Sequence, residues 1–84
     1  MGNDMARDYY AEAREIARSL EQDGLTAEAR ALVDAVDTGS TGTEILMALR
    51  WHLQRIDESN PKTSLQTKHR IRELRSAIHE VLEA

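Results

Sequence analysis

Apolar residues return every three or four positions in four separate stretches of this chain, and nowhere do they alternate with period two for long enough to build a strand. That periodicity confines the chain to an all-α fold. In the first stretch Met5, Tyr9, Ala13, Ile16, Ala17 and Leu20 share one stripe, with Arg7, Arg14, Glu15, Arg18 and Glu21 elsewhere. Gly24 suits the left-handed residue that closes such a helix, and Leu20 and Leu25 then occupy the positions that touch in a Schellman cap. The second stretch presents Ala29, Leu32, Val33 and Val36, begins at a candidate cap, Thr26, and closes at Gly39. In the third, Ile45, Leu46, Leu49, Leu53 and Ile56 fall within about 100° of one another. The fourth carries Ile71, Leu74, Ile78, Val81 and Leu82.

The punctuation between stretches sets their limits. Thr41 and Glu44 have capping-box spacing, with Thr43 as a competing cap, and Thr63 and Gln66 offer the same device for the last helix. Ser59-Asn60-Pro61 stops the third, because a residue before proline is pushed out of helical geometry. The expected fold is a compact antiparallel bundle of four helices, at about 4–23, 27–38, 43–58 and 64–83, in one domain spanning 1–84.

Composition limits the core. With no Phe, one Trp and two Tyr in 84 residues, it must be built from Ala, Leu, Ile and Val. A core that thin supplies a net stability of only ~3–5 kcal/mol, and oligomerisation is a common remedy. The lack of cysteine removes disulfides and thiol chemistry. Met1-Gly2-Asn3-Asp4 lacks the basic and apolar regions of a signal peptide, and Ala6 stands where a myristoylation motif wants Ser or Thr. No apolar run approaches the ~20 residues of a membrane span. The expectation is a cytoplasmic protein with no membrane partner.

The net charge of −4 is uneven. Residues 1–61 carry six Arg against twelve Asp or Glu, a balance of −6, whereas residues 62–84 carry five Lys or Arg against three Glu, a balance of +2. An acidic body disfavours general nucleic-acid affinity, which needs concentrated positive charge. Lys68, Arg72, Arg75 and His79 do step along one edge of the last helix, keeping a small nucleic-acid-binding regulator as the alternative. The preceding turn is longer than that of a helix-turn-helix unit.

Other clusters have ordinary explanations beside sharper ones. The Gly39-Ser40-Thr41-Gly42 link precedes a helix but has no lysine, and Asp34, Asp37 and Glu44 would repel phosphate, so it reads as a turn. His52, His69 and His79 show no metal-ligand spacing, and no nucleophile–base pattern is recognisable. No enzyme activity and no cofactor or metal site is expected. Asp8, Glu12 and Glu15 gather on one side of the first helix, either as a solvated face balanced by Arg7, Arg14 and Arg18 or as steering charge for a basic partner.

The least ordinary signal lies on the third helix. Met47 and Trp51 fall about 200° and 240° around from Ile45, well off the inner stripe, and at i,i+4 they are neighbours. Either a second helix of the bundle covers them, or they are an exposed contact for a protein partner or a second copy, since Trp and Met are enriched at interface cores.

Leu32 to Ile56, with its short helix, Gly-x-x-Gly turn and Thr43-Glu44-Ile45-Leu46 entry into an apolar helix, resembles small helical bacterial immunity proteins of the MafI-like kind. The resemblance covers about 25 residues, and the basic last helix departs from it. It implies a protein that binds and neutralises a toxin enzyme. Residues and resemblance together point to a small helical protein-binding module, of the immunity or antitoxin type by the resemblance, or else a structural homodimer.

Overall fold

A computed structural model describes residues 7–59 and 62–84. They form four helices, α1 (Tyr9–Gln22), α2 (Thr26–Thr38), α3 (Gly42–Ser59) and α4 (Leu65–Glu83), with no strand among the described residues. Two of the sequence expectations, Met5 on the first stripe and Asn60-Pro61 as the stop of α3, fall outside them.

Each helix starts where a backbone donor finds a partner, which moves several expected boundaries. Arg7 and Asp8 precede α1 instead of lying within it. Asp8 is extended (φ −103°, ψ 91°), and its Oδ1 accepts the Ala11 N–H at 3.0 Å, so the carboxylate is the cap and the helix begins at Tyr9. At the other end the Schellman turn forms as the sequence predicts. Leu25 N–H donates to Leu20 O at 2.8 Å and Gly24 N–H to Glu21 O at 3.0 Å, with Gly24 at φ +83°. The same turn displaces Thr26 from its expected capping role. The Leu25 carbonyl already accepts the Ala29 N–H at 3.0 Å, so α2 starts at Thr26 with no side-chain cap.

Thr41 caps α3, its Oγ1 accepting the Glu44 N–H at 3.1 Å, and Thr43 lies inside the helix. Glu44 returns the bond to the Ser40 N–H at 3.3 Å, one residue earlier than a standard box. Thr63 does not cap α4. Ser64 does, accepting the Thr67 N–H at 3.2 Å and donating its hydroxyl to Thr67 Oγ1 at 2.9 Å. The one-residue shift places Thr67 at the head of the inner stripe with Ile71, Leu74 and Ile78, four buried residues at helical spacing. Ser64 N–H also donates to Asp23 Oδ2 at 3.2 Å, tying the α3–α4 connection to the α1–α2 turn.

The helices close a ring: α1 packs on α2 and α4, and α3 packs on the same two. Ion pairs give the antiparallel register, with Arg14–Asp37 (2.9 Å) across α1–α2, Arg50–Glu83 (3.2 Å) and Arg72–Asp57 (3.0 Å) across α3–α4, and Arg70–Glu15 (2.7 Å) across α4–α1. The molecule measures 35 × 28 × 19 Å. Nineteen ångströms is two helix diameters, so one layer of side chains forms the core.

That layer is aliphatic: Ala13, Ile16, Ala17 and Leu20; Leu25; Ala29, Leu32 and Ala35; Ile45, Leu49, Leu53 and Ile56; Ile71, Leu74 and Ile78. Alanines on α1 and α2 let those helices approach closely. Ala35 enters the core where the sequence favoured Val33 and Val36, which are only half-buried, as are Leu46 and Leu82. Val81 is exposed, contrary to its place in the expected stripe. Glu15 meets Arg70, leaving six residues of α1 before that level against thirteen of α4 after it, so the last turns of α4 overhang α1.

Candidate functional site

Both neighbours of α3 pack against its inner side, where Leu49 and Leu53 are fully buried. Its outer sector stays open. Met47 is 51% exposed and Trp51 55%, so no helix of the bundle covers them. The helical wheel alone placed them together; only the packing shows that the sector is left bare.

Their surroundings hold them in place. The Arg55 guanidinium lies over the indole at 4.9 Å, and the His52 ring meets it edge-on at 4.9 Å and 80°. Toward α4, Arg50 Nη1 donates to His79 Nδ1 at 3.1 Å and to Glu83 at 3.2 Å. A guanidinium can only donate, so Nδ1 is the accepting atom in this contact. Two shallow clefts adjoin along this seam. One, of about 390 Å³, is lined by Met47, Arg50, Trp51, Gln54 and His79. The other, of about 290 Å³, is lined by Arg50, Gln54, Arg75, Ser76 and His79. Arg55 was legible in principle as the i,i+4 neighbour of Trp51. The roles of Arg50 and His79 were not, because they depend on which helix lies alongside.

A third cleft, of about 240 Å³, lies between α2 and α3 and is lined by Ala27, Glu28, Ala31, His52, Arg55, Ile56 and Ser59. Burial pushes the His52 pKa down, and the neighbouring Arg55 charge acts in the same direction. His69 pairs with Glu73 at 3.4 Å on α4. Among the described residues no three His, Asp or Glu side chains gather as a metal-ligand set.

The clustered acidic residues Asp8, Glu12 and Glu15 each meet a group within the chain. Asp8 is the α1 cap, Glu12 takes two bonds from Arg7 at 2.8 and 3.0 Å, and Glu15 takes Arg70 at 2.7 Å. The Glu12 hydrogen bond raises the Arg7 pKa. The basic edge is divided in the same way. Arg72 donates to both oxygens of Asp57, Arg75 faces the α3–α4 cleft, and Lys68 is half-buried. The structure leaves the apolar sector of α3 open, together with Leu65 and Val81 singly on α4. Among the described residues, no helix is long and apolar enough to cross a membrane. No family model, curated protein or solved structure matches the chain.

Proposed function

We propose that this chain is a small helical protein-binding module whose contact surface is the outer face of α3, centred on Met47 and Trp51. The observation that carries the proposal is the half-exposed indole beside a half-exposed thioether, on a helix whose inner stripe is fully used in the core. A large aromatic residue in an aqueous face forgoes the burial that would stabilise it, whereas at an interface it is a common anchor. The finer reading is an immunity or antitoxin type, in which the partner is a toxin enzyme neutralised by the contact. The resemblance over Leu32–Ile56 supports it, and that segment contains both anchors.

Trp51→Ala and Met47→Ala test the proposal. Each variant keeps its helical circular dichroism, while a partner identified by mass spectrometry and reconstituted from purified components binds at least ~10-fold more weakly, about 1.4 kcal/mol. Unchanged affinity in both variants refutes the assignment of this face.

A further inference from the structure

The outer face of α3 has a charge pattern that fits its own reverse. Reading along the helix, Glu44, Met47, Trp51 and Arg55 follow one another at steps of three, four and four. Met47 and Trp51 are about 40° apart around the axis, and Glu44 and Arg55 about 20° apart, so all four share one sector. Consider two such helices packed antiparallel about a two-fold axis near Leu49. Residues whose numbers add to about 98 or 99 then come level, and each side of the face meets the same side of the other copy. Trp51 lies against the partner's Met47, Met47 against the partner's Trp51, and Arg55 against the partner's Glu44 at both ends. All four side chains are exposed in the single chain. Along the α4 edge, Arg75 stands level with Gln54 and Glu83 lies toward the other end, so the same operation brings Arg75 toward the partner's Glu83.

We infer that the occupant of this face is a second copy of the chain, bound as an antiparallel two-fold dimer through α3. This rests on the docking reading above and gives the face to a second copy in place of a toxin enzyme. The charge pattern favours a like copy over an acidic or basic partner, since Glu44 and Arg55 flank the apolar pair with opposite sign. A thin aliphatic core and a chain of 84 residues give dimerisation a physical purpose. An 18-residue helix is about 27 Å long, so a contact made by one such pair and the adjoining edge of α4 is small among stable interfaces. The dimer is therefore expected to dissociate at concentrations on the order of micromolar.

Sedimentation equilibrium of the full chain across roughly 1 μM to 1 mM tests this, with circular dichroism to confirm folding. The wild type shows a monomer–dimer equilibrium, and Trp51→Ala raises its dissociation constant at least ~10-fold. Arg55→Glu and Glu44→Arg each abolish the dimer, because each sets like charges opposite one another twice. Mixed together, the two variants form a heterodimer in which both contacts again join opposite charges. Glu44 also bonds the Ser40 N–H at the start of α3, so Arg55→Glu paired with Glu44→Lys is the second set should Glu44→Arg lose helicity. A wild type that stays monomeric overturns the inference, as does a dimer indifferent to Trp51 and Arg55, or a failure of mixing to restore association. A monomeric wild type whose capture of another protein still depends on Trp51 overturns the second copy alone. Indifference of every association to Trp51 and Met47 overturns the docking face as well.

Discussion

Gly24 and Gly39 close their helices for opposite reasons, and alanine at each separates those reasons. At Gly24 a Cβ would meet nothing within 4 Å, but φ is +83°. Left-handed geometry costs an L-residue about 1–2 kcal/mol. The reduced freedom of the unfolded chain returns roughly 0.4–1 kcal/mol. Gly24→Ala should therefore destabilise by about 1 kcal/mol. At Gly39 the backbone is ordinary, with φ −68° and ψ 143°, but a Cβ would overlap Cγ1 of Ile45. Overpacking of that kind costs about 1–3 kcal/mol. After the same unfolded-state gain, Gly39→Ala should lose about 1–2 kcal/mol. For a domain of this size, 1 kcal/mol is roughly 4–8 °C in Tm.

The two mechanisms part when Ile45 is truncated. In an Ile45→Ala background the obstructing Cγ1 is gone and only the tight approach to the Ala35 carbonyl oxygen at 3.2 Å remains, so Gly39→Ala should lose most of its cost, while Gly24→Ala keeps its full cost. Urea unfolding followed by circular dichroism at 222 nm measures all the variants, with trimethylamine oxide present throughout to keep the truncated chain folded. An additive cycle, with Gly39→Ala costing the same whether or not Ile45 is truncated, would refute the close-approach argument for Gly39.

Three further outcomes follow from the packing. Leu49→Ala should cost about 2–5 kcal/mol and broaden or abolish the unfolding transition, because Leu49 is fully buried and the core is one layer deep; Trp51→Ala at low concentration should cost markedly less, and equal losses would place the indole in the core. The depressed His52 pKa means the native state binds its proton more weakly than the unfolded chain, whose value is about 6.5. Its contribution is therefore fully present above that value and is lost as pH falls below it. His52→Gln should flatten the decline in stability between pH 7 and 5, as denaturant titrations at each pH would show. Asp57→Asn should destabilise more than Asp37→Asn, since the Asp57 side chain is 11% exposed and its two oxygens share the Arg72 Nε–H, whereas Asp37 is 51% exposed; thermal melts of the two variants decide it.

The legible part of this protein is what depends on neighbours in sequence. Four helices follow from apolar spacing, and the Gly24 turn follows from one glycine beside Leu20 and Leu25, because a Schellman cap is made within six residues. The Thr41–Glu44 pair was readable for the same reason. The misplaced caps are failures of one residue. Leu25 and Ser64 took the roles first given to Thr26 and Thr63, because the choice among adjacent donors and acceptors turns on which side chain the bundle needs inside, as Thr67 shows; for α1 the sequence offered no cap, and Asp8 supplies it.

The sequence also determined that Met47 and Trp51 stand together, off the inner stripe. Whether another helix lies over them was beyond it, since that depends on the order of packing around the ring. Tertiary structure decided the matter by setting α3 between α2 and α4 and leaving its outer sector uncovered. It likewise decided that Arg50, His79 and Glu83 meet, and that Glu15 is held by Arg70. Periodicity is a property of one helix and can be read along the chain, whereas exposure and ion pairing belong to the space between helices, whose register is fixed only when the core closes.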